Sequence, residues 1–134
     1  MVYFVDTKLR ASRRNMKRGE SNRVALLRLL GWEVKKRKFR NTPEFLAVHN
    51  QHGIYKMDWQ QFRPFDYPHI MQLVLDELKD QGHVVKQQIV DGELYQVVIL
   101  YKKDGELHKF KHTSEVGHRA ACQAIHKLLE SEEM

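Results

Sequence analysis

The sequence predicts an α+β fold, an antiparallel sheet with packed helices in the order α-α-β-β-β-α-β-β-β-α. Two observations carry that expectation. Apolar residues recur at helical spacing in Met71, Val74, Leu75 and Leu78, and again in Val116, Ala120, Ala121, Ala124, Ile125 and Leu128. Between these stretches lie three strand-like segments separated by Asp91-Gly92 and Asp104-Gly105, dipeptides that favour tight hairpin turns. With 134 residues, 42% of them apolar, and only 7 Gly and 3 Pro, the chain can build a core without disulfide or metal staples, which excludes global disorder. Residues 21–134 are expected to form one domain and residues 1–20 a basic arm or helix.

Taken in order, residues 6–18 place Arg10, Arg13, Arg14 and Lys17 on one cationic stripe if helical, with Arg18 four beyond Arg14. Leu9 and Met16 offer almost no opposite apolar face, so a mobile arm that orders on binding fits equally well. Gly19 is expected to break this segment. Ser21 or Asn22 then caps a helix carrying Val24, Leu26, Leu27, Leu29 and Leu30, which Gly31 stops. Trp32–Arg40, Glu44–His49 and Ile54–Trp59 read as strands, the last two joined by Asn50-Gln51-His52-Gly53. Pro68 is placed to open the central helix, with Asp66 as its cap and Gly82 as its stop. The meander is expected at Val84–Val90, Leu94–Tyr101 and Leu107–His112, and Thr113 and Ser114 should cap the last helix. Gly117, Ala120, Ala121 and Ala124 should let that helix approach the sheet closely.

Charge is segregated along the chain. Residues 1–40 hold 13 Lys/Arg against 3 Asp/Glu, whereas residues 41–134 hold 10 against 14. The basic set Arg10, Arg13, Arg14, Lys17, Arg18, Lys35, Lys36, Arg37, Lys38 and Arg40 is the leading candidate for binding, because such a cluster neutralises phosphates and releases their counterions. Lysines on both faces of the strand at Lys35–Lys38 mark it as a sheet edge. Phe39 beside Arg37 and Arg40 offers a ring on which a single-stranded base can stack. The alternative is protein docking through a strand edge or through an aromatic patch at Trp59, Phe62 and Phe65, the latter requiring those aromatics to be exposed rather than core. No apolar run is long enough to span a membrane, and the basic stripe lacks an inserting apolar face. Cys122 stands alone, which suits a reducing cytoplasm, and Met1–Val5 is too short for a signal-peptide core.

Gly31-Trp32 at the first strand, Asp58-Trp59 with Phe62-Arg63-Pro64 before the central helix, Gly82 at its end and Ala120-Ala121-Cys122-Gln123-Ala124 in the last helix give the chain a pattern from Leu30 onward. It resembles the phage ABA sandwich domain family, small proteins of phages and prophages of Gram-positive bacteria. That resemblance implies a fold and a phage context. It implies no established activity, so no site residue carries over. Residues 67–131 also resemble a double-stranded RNA-binding domain in their order of helix, three strands and Ala-rich helix. That domain uses a basic start to its last helix, where this chain has Ser114-Glu115-Val116-Gly117-His118-Arg119.

Other constellations point away from chemistry. His118, Cys122 and His126 fall four apart on one helix flank that projects to the solvent side, and His108 and His112 share a strand face, but no C-x-x-C or H-E-x-x-H frames them. Asp58, Asp66, Asp76 and Glu77 form no metal pair, and Cys122 with His118 or His126 lacks the helix-terminal field that activates a thiol. The expectation is therefore a non-enzymatic accessory protein with no cofactor and no metal, whose partner is a nucleic acid or nucleoprotein complex, or else a host protein. An anti-CRISPR-like inhibitor of a host defence nuclease system is its concrete form.

Overall fold

The computed structural model describes residues 18–132, and the chain divides after Arg63 into two units, each with a three-stranded antiparallel sheet. The described order is α-β-β-β-α-β-β-β-α with a 3-10 turn before the second helix, an α+β arrangement with two three-stranded sheets. The helical or mobile segment expected before residue 18, with Arg10, Arg13, Arg14 and Lys17, lies outside the described residues.

In the first unit, α1 (Arg18–Leu30) buries Val24, Leu26, Leu27 and Leu30. Gly19 was expected as a break and Ser21 or Asn22 as a cap, yet the helix already runs from Arg18. A glycine in a first turn costs only about 1 kcal/mol, less than the apolar face behind it contributes. The helix ends in a double hydrogen bond, Gly31 N–H to the Arg28 carbonyl at 3.1 Å and Trp32 N–H to the Leu27 carbonyl at 2.9 Å, the Schellman arrangement. Strand β1 (Glu33–Arg37) is the sheet edge that its charges predict, followed by β2 (Phe45–His49) and β3 (Tyr55–Asp58) in the order β1-β2-β3. β1 stops at Arg37, short of the expected Arg40, because the chain turns at Asn41, whose φ is 68°.

Arg23 ties this unit together. Its side chain is 7% exposed, and Nε donates to the Phe62 carbonyl at 2.6 Å while Nη2 donates to the Trp59 carbonyl. The guanidinium also lies 4.0 Å from the Trp59 ring centroid. These contacts hold the 3-10 turn Trp59–Gln61, and with it Trp59 and Phe62, inside the core.

In the second unit, α2 (Pro68–Asp80) buries Ile70, Met71, Val74, Leu75 and Leu78, and its N-cap is Tyr67 without a side-chain bond, not Asp66. Pro68 at N1 needs no capping acceptor, since it has no N–H. The helix ends as α1 does, with His83 N–H on the Leu78 carbonyl and Gly82 N–H on that of Lys79, both at 3.0 Å. The meander β4 (Val84–Val90), β5 (Leu94–Lys103) and β6 (Glu106–Ser114) follows. Asp104 and Gly105 both have positive φ, so they form the two-residue turn whose twist matches the flanking strands and lets Lys103 pair with Glu106. Thr113 and Ser114 therefore belong to β6 and do not cap the last helix, α3 (Gly117–Glu132). Gly117 opens that helix and faces the Tyr95 ring, on the sheet side as expected. α2 and α3 pack on one face of the meander and against each other.

Ala120, Ala121 and Ala124 are buried where α3 meets the sheet. Replacing Ala121 or Ala124 by Leu should overpack this contact and cost about 1–3 kcal/mol in urea unfolding. Wild-type stability in both variants would contradict it.

Candidate nucleic-acid interface

Antiparallel register decides which of the basic residues of the first unit come together. Glu33 pairs with His49, Lys35 with Ala47 and Arg37 with Phe45, so Lys35, Arg37, Phe45 and His49 share one sheet face, opposite Val34 and Val48. β3 contributes through an irregularity. Val48 pairs with Met57 but His49 pairs with Tyr55, so Lys56 is an extra residue on β3. The bulge turns Tyr55 onto the Arg37 face while Met57 stays in the core.

The result is a cation set among rings. The Arg37 guanidinium lies 4.9 Å from the Phe39 centroid and 5.2 Å from that of Tyr55. Phe39 and Phe45 meet at 5.3 Å, and both approach Tyr55 edge-on. Phe39 is 41% exposed, and a short turn fixes it there. Its N–H donates to Thr42 Oγ1 at 3.1 Å, and its carbonyl accepts from Thr42 Oγ1 at 2.9 Å and Thr42 N–H at 3.1 Å. Tyr55 is oriented by its hydroxyl donating to Asp58 Oδ1 at 2.6 Å. That bond, with burial, holds the phenol above its ordinary range.

His49 is the buried member, 6% exposed. Arg37 Nη1 stands 3.0 Å from its Nε2. Because arginine can only donate, Nε2 accepts and the ring proton sits on Nδ1. Nδ1 is buried without a hydrogen-bond partner of normal geometry. Burial lowers the His49 pKa, the Ala47 backbone opposes the shift, and Arg37 and Lys35 add to it. On this face Lys35 lies 3.6 Å from Glu33, and on the opposite face Lys36 lies 4.0 Å from Glu44, surface pairs of little strength. Lys38 and Arg40 are exposed. The structure thus gathers Lys35, Arg37 and Phe39 with Phe45, His49 and Tyr55. Sequence reasoning missed the last three, although working the hairpin register through would have paired Arg37 with Phe45.

The alternative aromatic patch does not form. Trp59 and Phe62 are core residues of the first unit, stacked with centroids 6.2 Å apart, because Arg23 draws their carbonyls inward. Phe65 belongs to the second unit, where its ring stacks on His126 at 4.6 Å. Of the four aromatics in this stretch, only Tyr67 is exposed.

The His118/Cys122/His126 flank also differs from expectation. It does not face solvent, since Phe65 lies across it: His118 Nε2 contacts the Phe65 carbonyl at 2.9 Å, and Cys122 is buried with Sγ 3.5 Å from His118 Nε2. A helical projection cannot show a segment from elsewhere in the chain covering the helix. Nε2 must carry a proton to donate to that carbonyl, so it cannot take one from the thiol. Burial and the Asp66 carboxylate push the Cys122 thiol up to about 11, which keeps it protonated at neutral pH. Among the described residues, no three His, Cys, Asp or Glu side chains are gathered to hold a metal, and no helix is long and apolar enough to cross a membrane.

Compared with protein-family models, with curated proteins and with solved structures, the chain finds no match in any of the three.

His49 binds a proton more weakly in the fold than in the unfolded chain, and so does His83, whose pKa burial and Lys102 lower. Each therefore contributes stability that is complete above the unfolded value of 6.5 and is lost as pH falls below it through the folded midpoint. Ring-proton NMR titration should give midpoints below 6.5 for both. A His49 midpoint at or above that value would contradict a buried neutral ring.

Proposed function

We propose that the protein is a non-enzymatic, phage-type accessory protein that binds single-stranded nucleic acid, free or within a nucleoprotein complex, through the basic N-terminal third of its chain. The observation that carries this reading is the half-exposed Phe39 ring held by Thr42 beside the Arg37 guanidinium, with Lys35, Lys38 and Arg40 close in sequence. Stacking on an aromatic ring plus backbone neutralisation is the usual chemistry of single-strand binding, because every base has a π-face and every nucleotide a phosphate. Arg10, Arg13, Arg14, Lys17 and Arg18 add charge from the same third of the sequence.

The resemblance to a phage family supports a phage setting, and the lone Cys122 suits a reducing host cytoplasm. In that setting the reading takes the form of an inhibitor that occupies the guide or displaced strand of a host defence nuclease, where single strands lie in positively charged channels. The double-stranded RNA-binding reading gains the helix, meander and helix order of the second unit. It lacks the basic helix start, because His118 is engaged with the Phe65 carbonyl and only Arg119 there is a fixed cation.

Fluorescence anisotropy with labelled oligonucleotides tests the reading. Single strands should bind more tightly than duplex, and Phe39→Ala should weaken single-strand binding by about 5- to 100-fold, the worth of one stacked base. Arg10→Glu, Arg13→Glu and Arg14→Glu together should weaken binding further and flatten its salt dependence. Binding unchanged by Phe39→Ala, or insensitive to salt, would overturn it.

A further inference from the structure

The second unit is acidic overall, with eight Lys/Arg against twelve Asp/Glu in residues 64–134. Its meander nevertheless sorts those charges by face. The helices cover the side that carries Tyr95, Val97 and Ile99. The other side carries Lys86 and Lys111, which flank Val98 across the sheet, Lys109 opposite Leu100, and Lys102 opposite Leu107. All four lysines are exposed, as are Val84 and Leu107 on the same side. No aspartate or glutamate of β4, β5 or β6 points to this face, since Glu106 pairs with Lys103 and falls on the opposite side. None of the four lysines makes a side-chain ion pair among the described residues. Gln88, Gln96 and Thr113 form a hydrogen-bonded row beside them, with Gln88 Nε2 donating to Gln96 Oε1 at 2.6 Å and Gln96 Nε2 to Thr113 Oγ1 at 3.2 Å.

Edge protection accounts for lysines on edge strands, but Lys102 is on the central strand, and all four share a single face. Like charges gathered on one face repel, and a partner of opposite charge relieves that cost. From this charge complementarity we propose that the open face of the second sheet is a second nucleic-acid contact, which grips the phosphate backbone of a duplex through Lys86, Lys102, Lys109 and Lys111. Lys109 and Lys111 stand about 7 Å apart along β6, and Lys86 and Lys111 about 10 Å apart across the sheet, a flat cationic array suited to repeating phosphates. The face carries no aromatic ring, so it neutralises without stacking and does not select single strands. The inference stands on residues separate from those of the first unit.

The full-length chain tests it, with Lys86→Gln, Lys109→Gln and Lys111→Gln combined, alone and together with Phe39→Ala. Circular dichroism confirms the fold, which surface Lys→Gln changes leave intact. Duplex binding measured against salt should lose about 2 to 3 from its log–log slope in the lysine variant, near 0.9 per phosphate contact removed. Phe39→Ala alone should leave that duplex slope unchanged. If the lysine variant changes the slope while Phe39→Ala leaves single-strand affinity untouched, this contact stands and the stacking site of the first unit fails. A duplex slope unaltered by the lysine changes overturns the proposal. So does loss of binding to a polyglutamate peptide alone, which would make the occupant an acidic protein.

Discussion

Arg37 stands opposite Phe45 in the β1–β2 ladder, and the arrangement of the first unit depends on that register. A shift of one residue would send Arg37 and Lys35 to the buried apolar side and bring Val34 to the surface. Burial of Val34 and Val48 prevents the slip, so the apolar side of the sheet fixes the position of the charged side. The bulge at Lys56 works within the same constraint. It lets β3 keep Met57 in the core and still present Tyr55 beside Arg37. Core packing therefore places Arg37, Phe45 and Tyr55 together, and the turn held by Thr42 adds Phe39 beside them.

Arg23 serves the same unit from the inside. A buried guanidinium is costly unless its donors are satisfied, and here the Trp59 and Phe62 carbonyls and the Trp59 ring meet it. In drawing Trp59 and Phe62 inward, it removes two of the largest apolar groups from the surface. Exposed aromatic character in the described part of this unit is then concentrated at Phe39, beside the cations.

Much of the architecture was legible in the sequence. The Met71, Val74, Leu75 and Leu78 spacing located α2, the Asp-Gly dipeptides located the meander turns, and lysines on both faces marked β1 as an edge. What escaped was set by tertiary partners. No local signal announces the bulge at Lys56, and the Phe65 segment covers Cys122 from more than fifty positions away in the chain. Charge counting along the chain assigned all basic character to the first third, because Lys86, Lys102, Lys109 and Lys111 are diluted by carboxylates in sequence. Only strand alternation separates them in space. Linear charge segregation and charge segregation by sheet face are different quantities, and this chain carries both.

In the function proposed, a single strand lies on Phe39 and its neighbouring cations. Chemical-shift mapping of isotope-labelled full-length protein, titrated with a short unlabelled oligonucleotide, tests it directly. The largest shifts are expected at Arg37–Thr42 and Tyr55, with smaller changes in the α1 core. Shifts absent from Phe39 and Tyr55, or confined to residues outside this face, would contradict it.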